Sequence, residues 1–376
     1  MTVGDLSPSL FMEGGVVNFT DDELLRIRPE RMASAYMEYR RSGYEFIYRA
    51  ALENGVLDEL GTPRTVAQFV ARHGVASGKA VVAELLLEAL NRCGAVRRVG
   101  NRPSRFSAVT DYVPPRSIDD ELIRLATGKS SYRELGYSGS FGRVVTSLTH
   151  EEKHALSGFD ASNADLWDQG MQLPYYRYAR MCAVRTLVSA GSDLLDLASG
   201  TGLGLLELAR HTTGGGEGRF VGVEVSPDFV RVSAERTADA PRTRIVQGDL
   251  EQPLALPGAQ CFDGAMLVGA YHYLRDATPM WQSMARLVRT SGVVCLAMAY
   301  FRTGSYDQEL VDLRYAQRNP VAHPRTRAQV IAEAGEAGFV LEREFWFGCF
   351  GWLAFRATGD QRGSEGAGMT SQPNSR

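Results

Sequence analysis

DLLDLASGTGLGLLELAR, residues 193–210, decides the reading of this chain. An apolar run, a cluster of small residues and an amphipathic run follow one another. That order predicts a strand, a tight loop and a helix over 203–211. The alternation continues outward. Strands are expected at 193–198, 219–224, 243–247, 262–268, 293–299, 340–346 and 350–356. Amphipathic helices are expected at 203–211, 227–238, 277–289 and 325–336. The pattern predicts an α/β fold: a Rossmann-like, mostly parallel seven-stranded sheet with helices on both faces. No helix separates the last two strands, so a hairpin around Gly348–Gly351 would add one antiparallel strand.

What the loop Gly200-Thr201-Gly202-Leu203-Gly204 holds depends on its surroundings. A phosphate-cradling loop ends in Gly-Lys-Ser/Thr, whereas Leu205 and Leu206 follow here. The dinucleotide pattern G-x-G-x-x-G is missed by one residue. Three acids discriminate better. Asp196 closes the first strand, where a carboxylate would repel a pyrophosphate but accept hydrogen bonds from an ammonium group. Glu224 closes the second strand, 22 residues after Gly202. That is near the spacing of about 20 expected for an acid on ribose hydroxyls. Asp249 closes the third, placed to accept from an exocyclic adenine amine. A ligand with an ammonium, a ribose diol and an adenine, and no phosphate, would use all three. S-adenosylmethionine (SAM) is such a ligand.

On these residues the sequence resembles class I SAM-dependent methyltransferases over roughly residues 166–358. Asp196, Gly200 and Gly202 match that family's glycine-rich motif, Glu224 its ribose acid and Asp249 its adenine-side acid. Ala198 stands where many members have glycine. The resemblance implies SAM as cofactor, bound by Asp196, Ala198, Gly200, Gly202, Glu224, Val225, Asp249 and Leu250. It also implies a small-molecule acceptor, with oxygen favoured by family frequency and carbon or nitrogen open.

The front half is helical. Residues 21–110 read as helix, turn, helix and a two-stranded wing turning at Gly100–Asn101, a winged-helix-like pattern. A domain of this type before the catalytic domain resembles bacterial and plant small-molecule methyltransferases, which implies a homodimer. Residues 111–165 read as a helical connector, 1–20 as a flexible arm and 359–376 as a disordered tail.

Composition narrows the classes further. The net charge is −3, and no basic surplus invites nucleic acid or a membrane. On the second helix of the pattern Lys79 and Arg92 balance Glu84 and Glu88, unlike a DNA-reading helix. Arg97, Arg98, Arg102 and Arg105 do make the wing basic. No apolar run approaches the roughly 20 residues a bilayer span needs. The five cysteines are scattered, which suits a reducing cytoplasm. The N-terminus lacks the pattern of a secretory signal.

His272, just after the fourth strand, is the candidate general base, because imidazole titrates near 6.5 and ligands gather at this sheet edge. Related enzymes carry a histidine here in a His-Asp-Trp context; here it is His272-Tyr273-Leu274. Trp167, Met171, Tyr175, Tyr176 and Tyr178 precede the sheet and could line the cavity or pack in the core. Residues 301–327 could form a lid bringing Tyr300, Tyr306, Tyr315 and His323 to a substrate. His150-Glu151-Glu152-Lys153-His154 matches the zinc-protease pattern H-E-x-x-H, but Thr149 and Glu152 form a capping box and no third ligand is evident. No metal site is expected. A winged-helix regulator that senses SAM and an NAD-dependent oxidoreductase are the rival classes.

Overall fold

A computed structural model describes residues 19–100, 103–114, 118–129, 142–149, 158–212, 218–317 and 321–358. Most of the arm, the 359–376 tail and the His150–His154 motif lie outside the described residues.

The front half contains α1 (Asp21–Leu25), α2 (Pro29–Glu53), α3 (Val56–Glu59), α4 (Val66–His73) and α5 (Ala80–Cys93). The hairpin strands β1 (Val96–Val99) and β2 (Arg105–Ala108) follow, then α6 (Asp120–Thr127) and α7 (Gly142–Thr146). Local chemistry sets these boundaries. Thr65 and Gln68 form a reciprocal capping box at the start of α4, and Gly74 closes it in the left-handed conformation. Pro29 opens α2, where its missing N–H costs no helical hydrogen bond.

The second half contains α8 (Ala164–Met171), α9 (Pro174–Ala190), β3 (Leu194–Leu197), α10 (Leu203–His211), β4 (Phe220–Glu224), α11 (Pro227–Arg236) and β5 (Thr243–Gln247). It continues with β6 (Phe262–Val268), α12 (Thr278–Leu287), β7 (Val288–Met298), α13 (Gln308–Tyr315), α14 (Arg327–Glu336), β8 (Phe339–Phe347) and β9 (Phe350–Ala357). The sheet order is β5-β4-β3-β6-β7-β9-β8. Strands β3 to β7 pair in parallel, and β9 runs antiparallel to both β7 and β8. This is the Rossmann-like sheet of the sequence reading, with its single reversed strand.

Two apolar layers sandwich the sheet. Leu197, Leu267, Trp281, Leu296, Val330 and Phe355 share the core under α12 and α14. Tyr175, Ala179, Leu194, Leu205, Met266 and Phe347 share the core under α9 and α10, and Met32 and Tyr36 from α2 join it. The far half of α2 buries Ile47 and Ala50 against Leu86 and Leu90 of α5, together with Leu310 and Leu313 of α13. One long helix and the insertion after β7 therefore tie the helical layer to the sheet.

Candidate functional site

The carboxyl ends of β3, β4 and β5 open onto one cavity of about 1000 Å³, its open mouth included. Its lining includes Asp196, Ala198, Gly200, Glu224, Val225, Asp249 and Leu250, together with Trp167 and Met171 of α8. The three strand-end carboxylates therefore share a single cleft.

The backbone turn after β3 is shaped by close approaches. Gly202 has φ +87°, and a Cβ there would lie 2.4 Å from Ser233 Oγ. At Gly204 a Cβ would meet Asp196 Oδ2 and the Met266 methyl, both at 2.5 Å. The glycines let α10 start against α11 and above the Asp196 carboxylate. Gly202 itself does not line the cavity; it sets the turn. Ala198 has φ +48°, a conformation that L-residues adopt at a cost of roughly 1–2 kcal/mol. Gly loses more chain entropy on folding, so Ala198→Gly should stabilise the protein by a net of about 0.5–1 kcal/mol. A rise in thermal midpoint checks this; a fall would show that packing of the Ala198 methyl outweighs the strain.

Glu224 is buried and braces the loop from the neighbouring strand. It accepts from the Gly200 amide at 2.8 Å and from the Ser226 amide at 2.9 Å. Burial raises its pKa against these two amides. Asp196, 4% exposed, is pushed up to about 8, chiefly by desolvation. Glu207 and Glu224 add to the rise, and Arg180 opposes it. Arg180 is spent elsewhere: it grips Glu207 through two bonds of 2.6 and 2.8 Å and donates to the Met171 carbonyl at 2.8 Å. The buried Ser199 hydroxyl has no hydrogen-bond partner among the described residues. A cationic group entering beside Asp196 would restore its charged state. Asp249 is exposed and caps its own turn by accepting from the Glu251 amide at 2.9 Å.

Aromatic rings cover the cleft. Phe159 lies 5.1 Å from Trp167, 5.6 Å from Tyr273 and 6.1 Å from Phe229, centre to centre. The Trp167 indole donates to the Gly158 carbonyl at 2.9 Å. Asp168 ties α8 to the glycine loop by accepting from Thr201 Oγ1, and to α11 through an ion pair with Arg236. Phe159, Asp168, Arg180, Thr201 and Phe229 were not singled out as site residues in the sequence. Their roles depend on which helix faces the strand ends, and local patterning carries no signal for that.

The other candidates fall elsewhere. Tyr176 does not line the cavity; it is buried behind the lining residue Gly269, 3.6 Å from where a Cβ there would sit. Tyr175 is fully buried behind it, 5.0 Å from both Tyr36 and Tyr176. Tyr178 reaches the Ile27 carbonyl of the front half at 3.2 Å. The lid expectation needs correction at Tyr306. Its ring packs 4.8 Å from Tyr44, and its carbonyl accepts from the Tyr44 hydroxyl at 2.5 Å, because α13 docks on the helical layer. His323 meets the site through its backbone, its amide donating to the His272 carbonyl at 2.7 Å. His272 is fully buried, 4.2 Å from Tyr273, 4.9 Å from Tyr315 and 6.3 Å from Tyr300. It sits one ring behind Tyr273, which does line the cavity.

Residues 194–292 match the family model described as a methyltransferase domain. The chain is similar in structure to the CurJ carbon methyltransferase, with 14% identity, TM-score 0.61, and 90% of this chain and 96% of that one covered. It is also similar to the CMeT domain of the citrinin polyketide synthase, with 11% identity, TM-score 0.61, and 92% and 99% covered. The DszA carbon methyltransferase matches with 15% identity, TM-score 0.56, and 90% and 96% covered. At these identities the likeness is one of fold, and it extends over the helical front half as well as the sheet. A sequence search of curated proteins finds no match. Among the described residues, no helix is long and apolar enough to cross a membrane.

Proposed function

We propose that this protein is a SAM-dependent methyltransferase acting on a small organic acceptor, and that the acceptor atom is carbon. The observation that carries the reading is the meeting of Asp196, Glu224 and Asp249 in one cleft beside the glycine turn. When bound, SAM supplies an electrophilic methyl group on a sulfonium. Asp196, with Ser199 nearby, faces the ammonium; Glu224 takes the ribose hydroxyls; Asp249, Val225 and Leu250 border the adenine. Trp167, Phe159 and Tyr273 exclude water from the reacting end, and an aromatic face there attracts a cation by about 0.5–2 kcal/mol. His272 accepts the acceptor's proton. The sequence resemblance favours oxygen. Carbon is supported by the fold likeness, over nine-tenths of the chain, to two carbon methyltransferases and to a polyketide synthase CMeT domain.

Calorimetry with SAM tests the cofactor. Glu224→Ala should weaken binding by about 1–3 kcal/mol through lost charge-assisted hydrogen bonds. An unchanged affinity removes Glu224 from the site. An absence of SAM binding by the wild-type protein, with NADH binding in its place, overturns the reading. The acceptor atom is tested with SAM carrying a ¹³C methyl group. A product methyl with a carbon–carbon coupling or a C-methyl shift supports carbon, and an O-methyl shift overturns it.

A further inference from the structure

Two arginines lie beyond the tyrosines that back the cavity. Arg40 of α2 is 1% exposed. Its guanidinium sits over the rings of Tyr36 and Tyr39, at 4.7 and 5.3 Å, and donates to the Tyr36 hydroxyl at 2.7 Å. The facing carboxylate is Asp307, at 3.8 Å from Nε. That carboxylate already accepts from Ser305 Oγ at 2.7 Å and, through both oxygens, from the Cys349 amide at 3.2 Å. Nε and Nη1 of Arg40 have no hydrogen-bond partner among the described residues. Neither has the hydroxyl of Tyr175, which is fully buried 5.0 Å from Tyr36 and 6.0 Å from Tyr39, ring to ring. Arg314 of α13 lies within the electrostatic reach of Tyr175, Tyr39, Tyr315 and Arg40, and its Nε is likewise without a partner among the described residues.

The neighbouring acids of α13 are committed elsewhere. Asp312 accepts from Tyr300 and from Gln308, at 2.7 and 3.0 Å. Glu309 pairs with Arg92. Among the described residues, Arg40 therefore faces one carboxylate that is already hydrogen-bonded, and Arg314 brings a second guanidinium within electrostatic reach of Arg40. A buried cation in excess, with unmet donors, is costly unless an anion joins it.

Tyrosines stand between this cluster and the cavity. Tyr176 lies 3.6 Å from where a Cβ on the lining residue Gly269 would sit, and 5.0 Å from Tyr175, ring to ring. Tyr315 lies beside His272. We propose that Arg40, Arg314 and Tyr175 bind a carboxylate of the methyl acceptor, so that the enzyme acts on an organic acid. The proposal rests on the methyltransferase reading only for the word acceptor; the anion site stands on its own geometry. A planar carboxylate offers two oxygens to the fork of Arg40, the Arg314 Nε and the Tyr175 hydroxyl, and such charge-assisted bonds are about twice as strong as neutral ones. The arginines come from the front half and from the insertion after β7, so the site exists only when both pack on the sheet. The rival is a purely structural Arg40 that braces α2 against the insertion.

The test titrates the full-length protein with sodium benzoate and with benzamide, with and without S-adenosylhomocysteine. Benzoate should bind at least about tenfold more tightly than benzamide, the difference expected for a charge-assisted contact. Arg314→Gln should weaken benzoate by about tenfold or more and leave S-adenosylhomocysteine affinity and the melting temperature as in wild type. Arg40→Lys gives a second reading at the more buried position. Equal binding of benzoate and benzamide, no benzoate binding, or benzoate binding indifferent to Arg314→Gln overturns the acid site. Failure of S-adenosylhomocysteine to bind overturns the methyltransferase reading, and the titration without it still decides the anion site.

Discussion

Replacing His272 by alanine should lower the rate of methyl transfer by about 10²–10⁴, the contribution typical of a positioned general base. The short turn Tyr271–Tyr273 follows β6 and holds His272 at the carboxyl edge of the sheet. The ring is buried among Tyr273, Tyr300 and Tyr315, and its carbonyl is pinned by the His323 amide. The buried imidazole stands one ring behind Tyr273, and we propose that it takes the proton a C–H acid must lose to form its nucleophile. In-line displacement needs alignment as well, and the cleft supplies it whether or not the base is present. SAM affinity should therefore stay within about twofold in the variant, since the ring lies outside the cavity lining, behind Tyr273. Single-turnover formation of S-adenosylhomocysteine, measured between pH 6 and 9, separates the two effects. A wild-type rate at neutral pH ends the base assignment. A matched fall in SAM affinity would make His272 a packing residue.

Asp196→Asn should weaken SAM binding by about 2–5 kcal/mol, the cost of removing one member of a buried charge pair. The electrostatics around this carboxyl show why. Burial pushes Asp196 up to about 8, so the carboxyl is largely protonated at neutral pH. Binding of an ammonium beside it favours the carboxylate, so the proton must leave. At pH 6.5 wild-type binding should release about one proton, seen as a binding enthalpy that changes with buffer ionisation heat. An asparagine amide carries no such proton, and the Asp196→Asn variant should lose the buffer dependence. The same shift acts on stability. A carboxyl whose folded pKa lies above its unfolded value keeps a proton in the folded state that the unfolded chain has released. Its contribution is fully present below about pH 4 and is lost as pH rises through about 8. The ligand-free wild type should therefore lose more stability than Asp196→Asn between pH 5 and 8.5, and SAM should narrow the gap. Equal pH slopes for the two proteins would return Asp196 to the ordinary carboxylate range.

The motif residues of the second half were legible because each lies where a strand meets a loop, and that junction is a local event. Alternating apolar runs located β3, β4, β5 and β6 to within a residue, and the hairpin of β8 and β9 followed from Gly348 and the missing helix. Strand β7 begins five residues earlier than its apolar run, since Val288 pairs with Phe262 before the β6 bulge. The tyrosines were ambiguous for a physical reason. Tyr175 and Tyr176 are neighbours on one helix, yet one is enclosed by α2 and β9 and the other lies behind Gly269 of the cavity lining. Helical spacing cannot say which neighbour arrives.

The order of small residues and acids along the chain determined by itself the parallel sheet and the three carboxylates at successive strand tips. In such a sheet every strand end returns to the same edge, so period and spacing suffice. Tertiary structure alone decided the electrostatics: that Arg180 is held by Glu207, that burial raises the Asp196 pKa, and that Arg40 and Arg314 come within electrostatic reach from segments far apart in the sequence. Those properties arise from desolvation and from contacts between segments up to more than 250 residues apart, which no local pattern encodes.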